Sequence, residues 1–188
     1  MTQQGINQNI KKAQILTEAL PFIKKFSNKT VVIKYGGSAL INPEIKNTII
    51  KDIVLMKLVG MKPVVVHGGG PDISSFLKKL NIESKFINGL RVTNAETMEV
   101  AEMVLSGKIN KQIVTDIELN GVKAVGISGK DGDTVKAKKI EKDGIDYGFV
   151  GNIESVDPAL VKTLIDNDII PVIAPIGMDE KGQSYNIN

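Results

Sequence analysis

Three places in the sequence combine residue types and spacings that could handle an anion. In Val66-His67-Gly68-Gly69-Gly70-Pro71, three successive positions lack a Cβ, so backbone N–H groups can approach a carboxylate or phosphate. The helix expected after Pro71 would point its positive end at the same spot. The same run also reads as a plain strand-to-helix turn. Ile33-Lys34-Tyr35-Gly36-Gly37-Ser38 closes a second strand with a second glycine turn. Lys34 could neutralise a phosphoryl group in transfer; taken alone it fits equally a lysine snorkelling at a strand terminus. Arg91 is the one arginine among 24 basic residues. Only a guanidinium offers a rigid fork matched to a carboxylate, so this position suits either a carboxylate clamp or a surface pair with a nearby Glu.

Other chemistries are excluded or weak. There is no Cys and a single His, which removes thiol nucleophiles, disulfides and Cys- or His-rich metal centres. Gly107-Lys108 is followed by Ile109 and Gly129-Lys130 by Asp131, so no P-loop is present. The dinucleotide fingerprint fails at its third glycine, where Ile73 stands. His67 has no carboxylate nearby in sequence and reads as a strand-end cap rather than a base. Gly129–Asp133 reads as a turn, and Lys136, Lys138 and Lys139 as a solvated strand edge.

Elements must position these residues, and the patterning supplies them. Residues 8–27 read as an amphipathic helix that Pro21 should kink or split. Thr30–Tyr35 and Pro63–His67 are short β-branched runs stopping at glycines, with a helix from Pro43 to Val59 between them and another from Ile73 to Leu80 after them. Near-continuous apolar strands alternating with helices predict a parallel sheet covered on both faces. Asn88-Gly89 predicts a hairpin within 86–92. Two helices follow, Ala95–Ser106 and Lys108–Asn120, then a strand at Val122–Ile127. A second hairpin of 134–140 with 148–155, joined by 141–144, precedes a helix opened by Asp157-Pro158 and a strand at Ile169–Ile173.

Of 188 residues, 42% are hydrophobic and 24% charged, the profile of a soluble globular chain with one sizeable core. Net charge is +3; residues 1–30 carry +4, five Lys against one Glu, and the rest of the chain 19 basic against 20 acidic residues. A near-neutral body with 4% aromatics and no Trp disfavours nucleic-acid binding. No apolar run reaches the roughly 18 residues of a membrane span, and no signal peptide is evident. A soluble, intracellular protein is expected.

Lys34-Tyr35-Gly36-Gly37, His67-Gly68-Gly69-Gly70-Pro71, Asn88-Gly89-Leu90-Arg91-Val92-Thr93 and Asn186-Ile187-Asn188, in this order, resemble the amino acid kinase family. The likeness is strongest to the branch that phosphorylates the side-chain carboxylate of N-acetyl-L-glutamate in arginine biosynthesis, and it runs from about Ala13 to the last residue. It implies a three-layer αβα sandwich with a mainly parallel central sheet. It further implies that Lys34 stabilises the phosphoryl group in flight and that Gly36 and Gly37 face nucleotide phosphates. Gly69, Gly70, Arg91 and Asn186 would bind N-acetylglutamate. ATP with Mg²⁺ is implied, without protein ligands to the metal. So are a homo-oligomer, either a dimer or a hexamer in which the 1–28 helix pairs dimers (the same apolar stripe also fits a helix packed on its own domain), arginine feedback inhibition, a PII-type signalling partner, and a cytoplasmic or organelle-stroma location. Residues 29–188 are then the substrate-binding lobe. The family chain continues with an aspartate two residues past Asn188 and with a nucleotide lobe, so the chain is expected to be truncated and inactive alone.

Overall fold

The computed structural model describes residues 3–36, 42–141 and 144–187. Gly37 and Ser38, Lys142 and Asp143 of the second hairpin's connection, and Asn188 lie outside the described residues.

Helix α1 (Gln3–Phe26) runs without a break through Pro21. The expected kink or split at Pro21 is therefore not seen as an interruption, and the helix begins five residues earlier than residue 8, with Ile6 four residues before Ile10 extending the apolar spacing. Strand β1 (Thr30–Tyr35) leads to α2 (Pro43–Leu58), whose first turn is capped by Asn42, its Oδ1 accepting the N–H of Glu44 at 2.9 Å. Strand β2 (Lys62–His67) leads directly into α3 (Gly70–Lys79), three residues before the apolar repeat begins. The hairpin β3 (Phe86–Ile87) and β4 (Leu90–Arg91) turns at Asn88 and Gly89, both left-handed at φ 50° and 80°. That is the I′ geometry an Asn-Gly pair favours.

Helices α4 (Ala95–Glu102) and α5 (Asn110–Glu118) are joined by a π-helical segment, Met103–Ile109. The break expected near Gly107 is absent, since a widened turn absorbs the glycine without ending the helix. Strand β5 (Ala124–Ser128) and a 3₁₀ turn at Asp131–Asp133 precede β6 (Val135–Lys139) and β7 (Val150–Val156), which pair antiparallel. Helix α6 (Ala159–Asp166), strand β8 (Ile170–Ala174) and two short strands, β9 (Ile176–Met178) and β10 (Ser184–Ile187), complete the described chain.

The central sheet has the order β1-β2-β8-β5, all parallel. On one face Tyr35, Val65, Ala124, Ile170 and Val172 meet Ile50 and Ile53 of α2, Leu77 of α3, Leu105 of the π segment, and Ile113 and Ile117 of α5 in one buried cluster. By strand alternation, the opposite face carries Val32 and Val125. Helix α6 packs on β8 there, and its buried Ile165 lies outside the main cluster. Val32 is 66% exposed, so this outer layer covers the sheet incompletely. Beside it, β10-β7-β6-β9 close a small barrel that the sequence did not announce.

Candidate functional site

The two glycine turns sit side by side at the carboxyl ends of β1 and β2, which are paired through Tyr35 and His67. The Gly68 N–H donates to the Tyr35 carbonyl at 2.8 Å. A Cβ built on Gly36 would lie 3.6 Å from the Gly68 nitrogen, so the turns approach backbone to backbone.

Every carbonyl of the triple glycine is engaged. Gly68 O accepts from His67 Nδ1 at 2.9 Å, Gly69 O from the Ile73 N–H at 3.0 Å, and Gly70 O from Arg91 Nη2 at 3.0 Å and Ser74 Oγ at 3.1 Å. The N–H groups of Gly69 and Gly70 make no hydrogen bond among the described residues. They stand at the positive end of α3. A Cβ on Gly70 would meet nothing within 4 Å, whereas one on Gly69 would overlap Ile109 and Leu105 of the π segment. Gly70 thus opens on free space, and Gly69 is held against the helix behind it.

Arg91 joins this loop from β4. It is 6% exposed and donates to Ser84 Oγ, to Gly70 O, and to Ser74 Oγ at 2.8 Å. Its guanidinium carbon lies 4.6 Å from the centroid of the Phe86 ring. Of the five N–H donors of a guanidinium, three are spent in this way, and none meets a carboxylate among the described residues. Burial pulls its pKa down, the direction expected of a cation taken from water without a counter-charge. The surface pair with a Glu is therefore not made; a buried, unneutralised cation is an energetic cost that an incoming anion would relieve.

Lys34 is exposed on β1 and makes no hydrogen bond or ion pair among the described residues. Asn186 lies on β10, half-buried. Backbone bonds tie it to the Arg91 side of the fold: Asn186 N–H donates to Phe149 O at 2.9 Å, and Phe149 N–H to Thr93 O at 2.6 Å. Gly148 makes this contact possible, as a Cβ there would overlap Thr93 O. Gly36, Gly69, Gly70 and Arg91 are thus brought together, with Asn186 two backbone hydrogen bonds from Thr93; Gly37 lies outside the described residues.

Sequence reasoning missed Ser74, Ser84 and Asn110. Asn110 is fully buried, and its Nδ2 donates to Val172 O at 2.9 Å and meets His67 Nε2 at 3.2 Å. The available signal was an amide at an apolar helix position, three and seven residues before Ile113 and Ile117. Gly129–Asp133 is a structural turn, as expected. Asp131 Oδ2 accepts from Ser128 N–H at 2.7 Å, and Lys130 ties Glu102 at 2.7 Å to Ser184 at 2.9 Å. Among the described residues no three His, Cys, Asp or Glu side chains gather as a metal site, and no helix is long and apolar enough to cross a membrane.

The Amino acid kinase family is matched over residues 29–188. The chain belongs to the amino acid kinase family. An acetylglutamate kinase of Heliobacterium modesticaldum is 57% identical, over 95% of this chain and 64% of that protein. One of Caldanaerobacter subterraneus subsp. tengcongensis is 58% identical, over 99% of this chain and 62% of its own length. The chain therefore spans somewhat under two thirds of these relatives. An N-acetylglutamate synthase of Neisseria gonorrhoeae, solved with coenzyme A and N-acetyl-glutamate, superposes with TM-score 0.78 at 24% identity, over 92% of this chain and 39% of that one. At that identity the likeness is one of fold, and it agrees with the parallel α/β architecture expected of the family.

Proposed function

We propose that this chain carries the acid-binding part of an ATP-dependent kinase that phosphorylates the side-chain carboxylate of N-acetyl-L-glutamate. The observation that carries the reading is Arg91, a buried cation with no acidic partner among the described residues, fastened to a loop in which the N–H groups of Gly69 and Gly70 make no hydrogen bond among the described residues and Gly70 borders open space. The kinship with acetylglutamate kinases supports the choice of acid.

In this reading Arg91 and Asn186 hold the α-carboxylate end, and the amides of Gly69 and Gly70 receive the reacting side chain. Gly36 and Gly37 face the nucleotide phosphates, where the lack of side chains lets backbone N–H groups approach an anion. Lys34 screens the phosphoryl group. Mg²⁺ would enter with the nucleotide and neutralise phosphate charge. The attacking carboxylate is ionised at pH 7, so no general base is needed. That fits His67, which is buried, pushed toward neutrality, and bonded at both ring nitrogens. Catalysis then rests on in-line placement and charge screening. Pairing of copies through α1, arginine inhibition, a PII-type partner and a cytoplasmic location belong to the same proposal. The exposed Ile15, Leu16, Leu20 and Phe22 of α1 agree with the first of these.

Calorimetric titration with N-acetyl-L-glutamate, glutamate and aspartate tests the reading. Binding is expected for the first with little or none for the others; equal binding of all three, or of none, overturns it.

A further inference from the structure

We propose that His67 and Asn110 are positioning residues for the glycine loop, a fixed donor–acceptor relay that turns the Gly68–Gly69 peptide so that the Gly69 N–H faces the ligand. The inference rests on the reading above, in which that loop receives the acid.

The relay starts in the sheet. Asn110 projects from α5 into the space left by Gly126, where any Cβ would overlap the Asn110 amide. Its Nδ2 donates to the Val172 carbonyl at 2.9 Å and approaches that of Ile127 at 3.3 Å, while its Oδ1 accepts from Lys111 Nζ at 3.2 Å. Carbonyls on one side and an ammonium on the other fix which way the amide points. The Asn110 nitrogen is a donor only, its two hydrogens shared among these carbonyls and His67 Nε2, 3.2 Å away, so Nε2 meets it with a lone pair and not with an N–H. An imidazole that accepts at Nε2 carries its proton on Nδ1, and Nδ1 lies 2.9 Å from Gly68 O. Burial presses His67 toward the neutral form, which leaves one proton and one lone pair for these two partners.

The consequence for the loop follows from peptide planarity. In a trans peptide the C=O of one residue and the N–H of the next point in opposite directions. Drawing Gly68 O onto the imidazole turns the Gly69 N–H away from it. With the proton on Nε2 instead, Gly68 O would face a lone pair, and the peptide would lose the bond that orients it. The two remaining carbonyls of the loop are held by Ile73, Arg91 and Ser74, so the His67 contact is the one that sets this first peptide plane.

His67 is the single histidine, which makes the test clean. On the full chain with ¹⁵N-labelled imidazole, the expected spectrum at pH 7 shows a protonated Nδ1 and a bare Nε2. An Nε2–H tautomer or an imidazolium at that pH overturns the relay. His67→Asn keeps a donor near the Nδ1 position and His67→Gln does not. Both should lower stability, but His67→Asn should hold the Kd for N-acetyl-L-glutamate within about threefold while His67→Gln raises it about tenfold. Equal effects of the two on Kd would make the residue structural only and overturn the proposal. Asn110→Ala should mix the tautomers, and if that variant fails to fold, the unsubstituted spectrum still decides. Should the Nδ1–H tautomer be found while N-acetyl-L-glutamate does not bind, the assigned acid is wrong. The loop is then read from the Gly69 and Gly70 amide resonances, which must shift in His67→Gln and stay in place in His67→Asn.

Discussion

Replacing Arg91 by Met separates a ligand role from a structural one. The guanidinium gives up three hydrogen bonds, to Ser84, Gly70 O and Ser74, yet little is left stranded. Gly70 O retains the Ser74 hydroxyl at 3.1 Å, Ser84 is only half-buried, and Met can lie along Phe86 as the guanidinium did. Loss of bonds to a charged donor is offset by removal of a desolvated, unpaired cation, so folding should fall by about 0–2 kcal/mol. The ligand loses the partner of its carboxylate, a change of about 2–5 kcal/mol, or roughly 30- to 5,000-fold in Kd. Arg91→Lys keeps the charge without the fork and should fall between. Calorimetry with N-acetyl-L-glutamate and its α-amide closes the cycle: the native protein should discriminate acid from amide strongly, and the Met variant hardly at all. Undiminished discrimination in the variant would refute the assignment of Arg91 to the α-carboxylate.

Other outcomes follow from the same geometry. Gly70→Ala should leave the urea midpoint nearly unchanged, since its Cβ meets nothing within 4 Å, while weakening acid binding by filling the open side of the loop. Gly148→Ala combines a φ of +69° with overlap on Thr93 O and should destabilise by about 3 kcal/mol or more, measured by chemical denaturation. In a protein extended to the length of its relatives, Lys34→Ala should reduce phosphoryl transfer about 100-fold or more with the acid Kd unchanged; an undiminished rate would remove Lys34 from the chemistry. Because burial lowers His67 from 6.5, the unfolded chain takes up a proton that the folded one refuses. Stability is therefore complete above pH 6.5 and declines as pH falls below it toward the folded pKa. The carboxylates of Asp146, Asp168 and Asp179 sit below 3.8 and leave that window to His67, so His67→Gln should flatten the slope.

What could be read from residues alone was what local rules govern. The strand-glycine-helix passages at Gly36 and Gly68–Gly70 were legible because β-branched runs and glycine punctuation are local signals, and Asn88-Gly89 because its turn demands two left-handed residues. Gly107 misled because a helix's hydrogen-bond register is not written in its composition; the π segment passes through it intact. Strands β9 and β10 escaped because they are short and owe their existence to partners in β6 and β7. At the site, the sequence left Arg91 between a carboxylate clamp and a surface pair. Only the fold brings Gly70 and Ser74 to it across 21 and 17 positions of chain. Asn110 was hidden for the same reason, since its partners come from three strands.

The order of the sheet has a bearing on how the chain comes into being at the ribosome. Strand β2 lies against β8, with Val65 beside Val172, so the inner neighbour of the glycine-bearing strands is translated long after them, 107 positions on from Val65. Until it emerges, β1 and β2 form a two-stranded ribbon with an open edge, and β5 has no partner in the sheet. The glycine-bearing strands must therefore wait, exposed to sticking and to chaperones, for a partner that follows Val65 by 107 positions of chain.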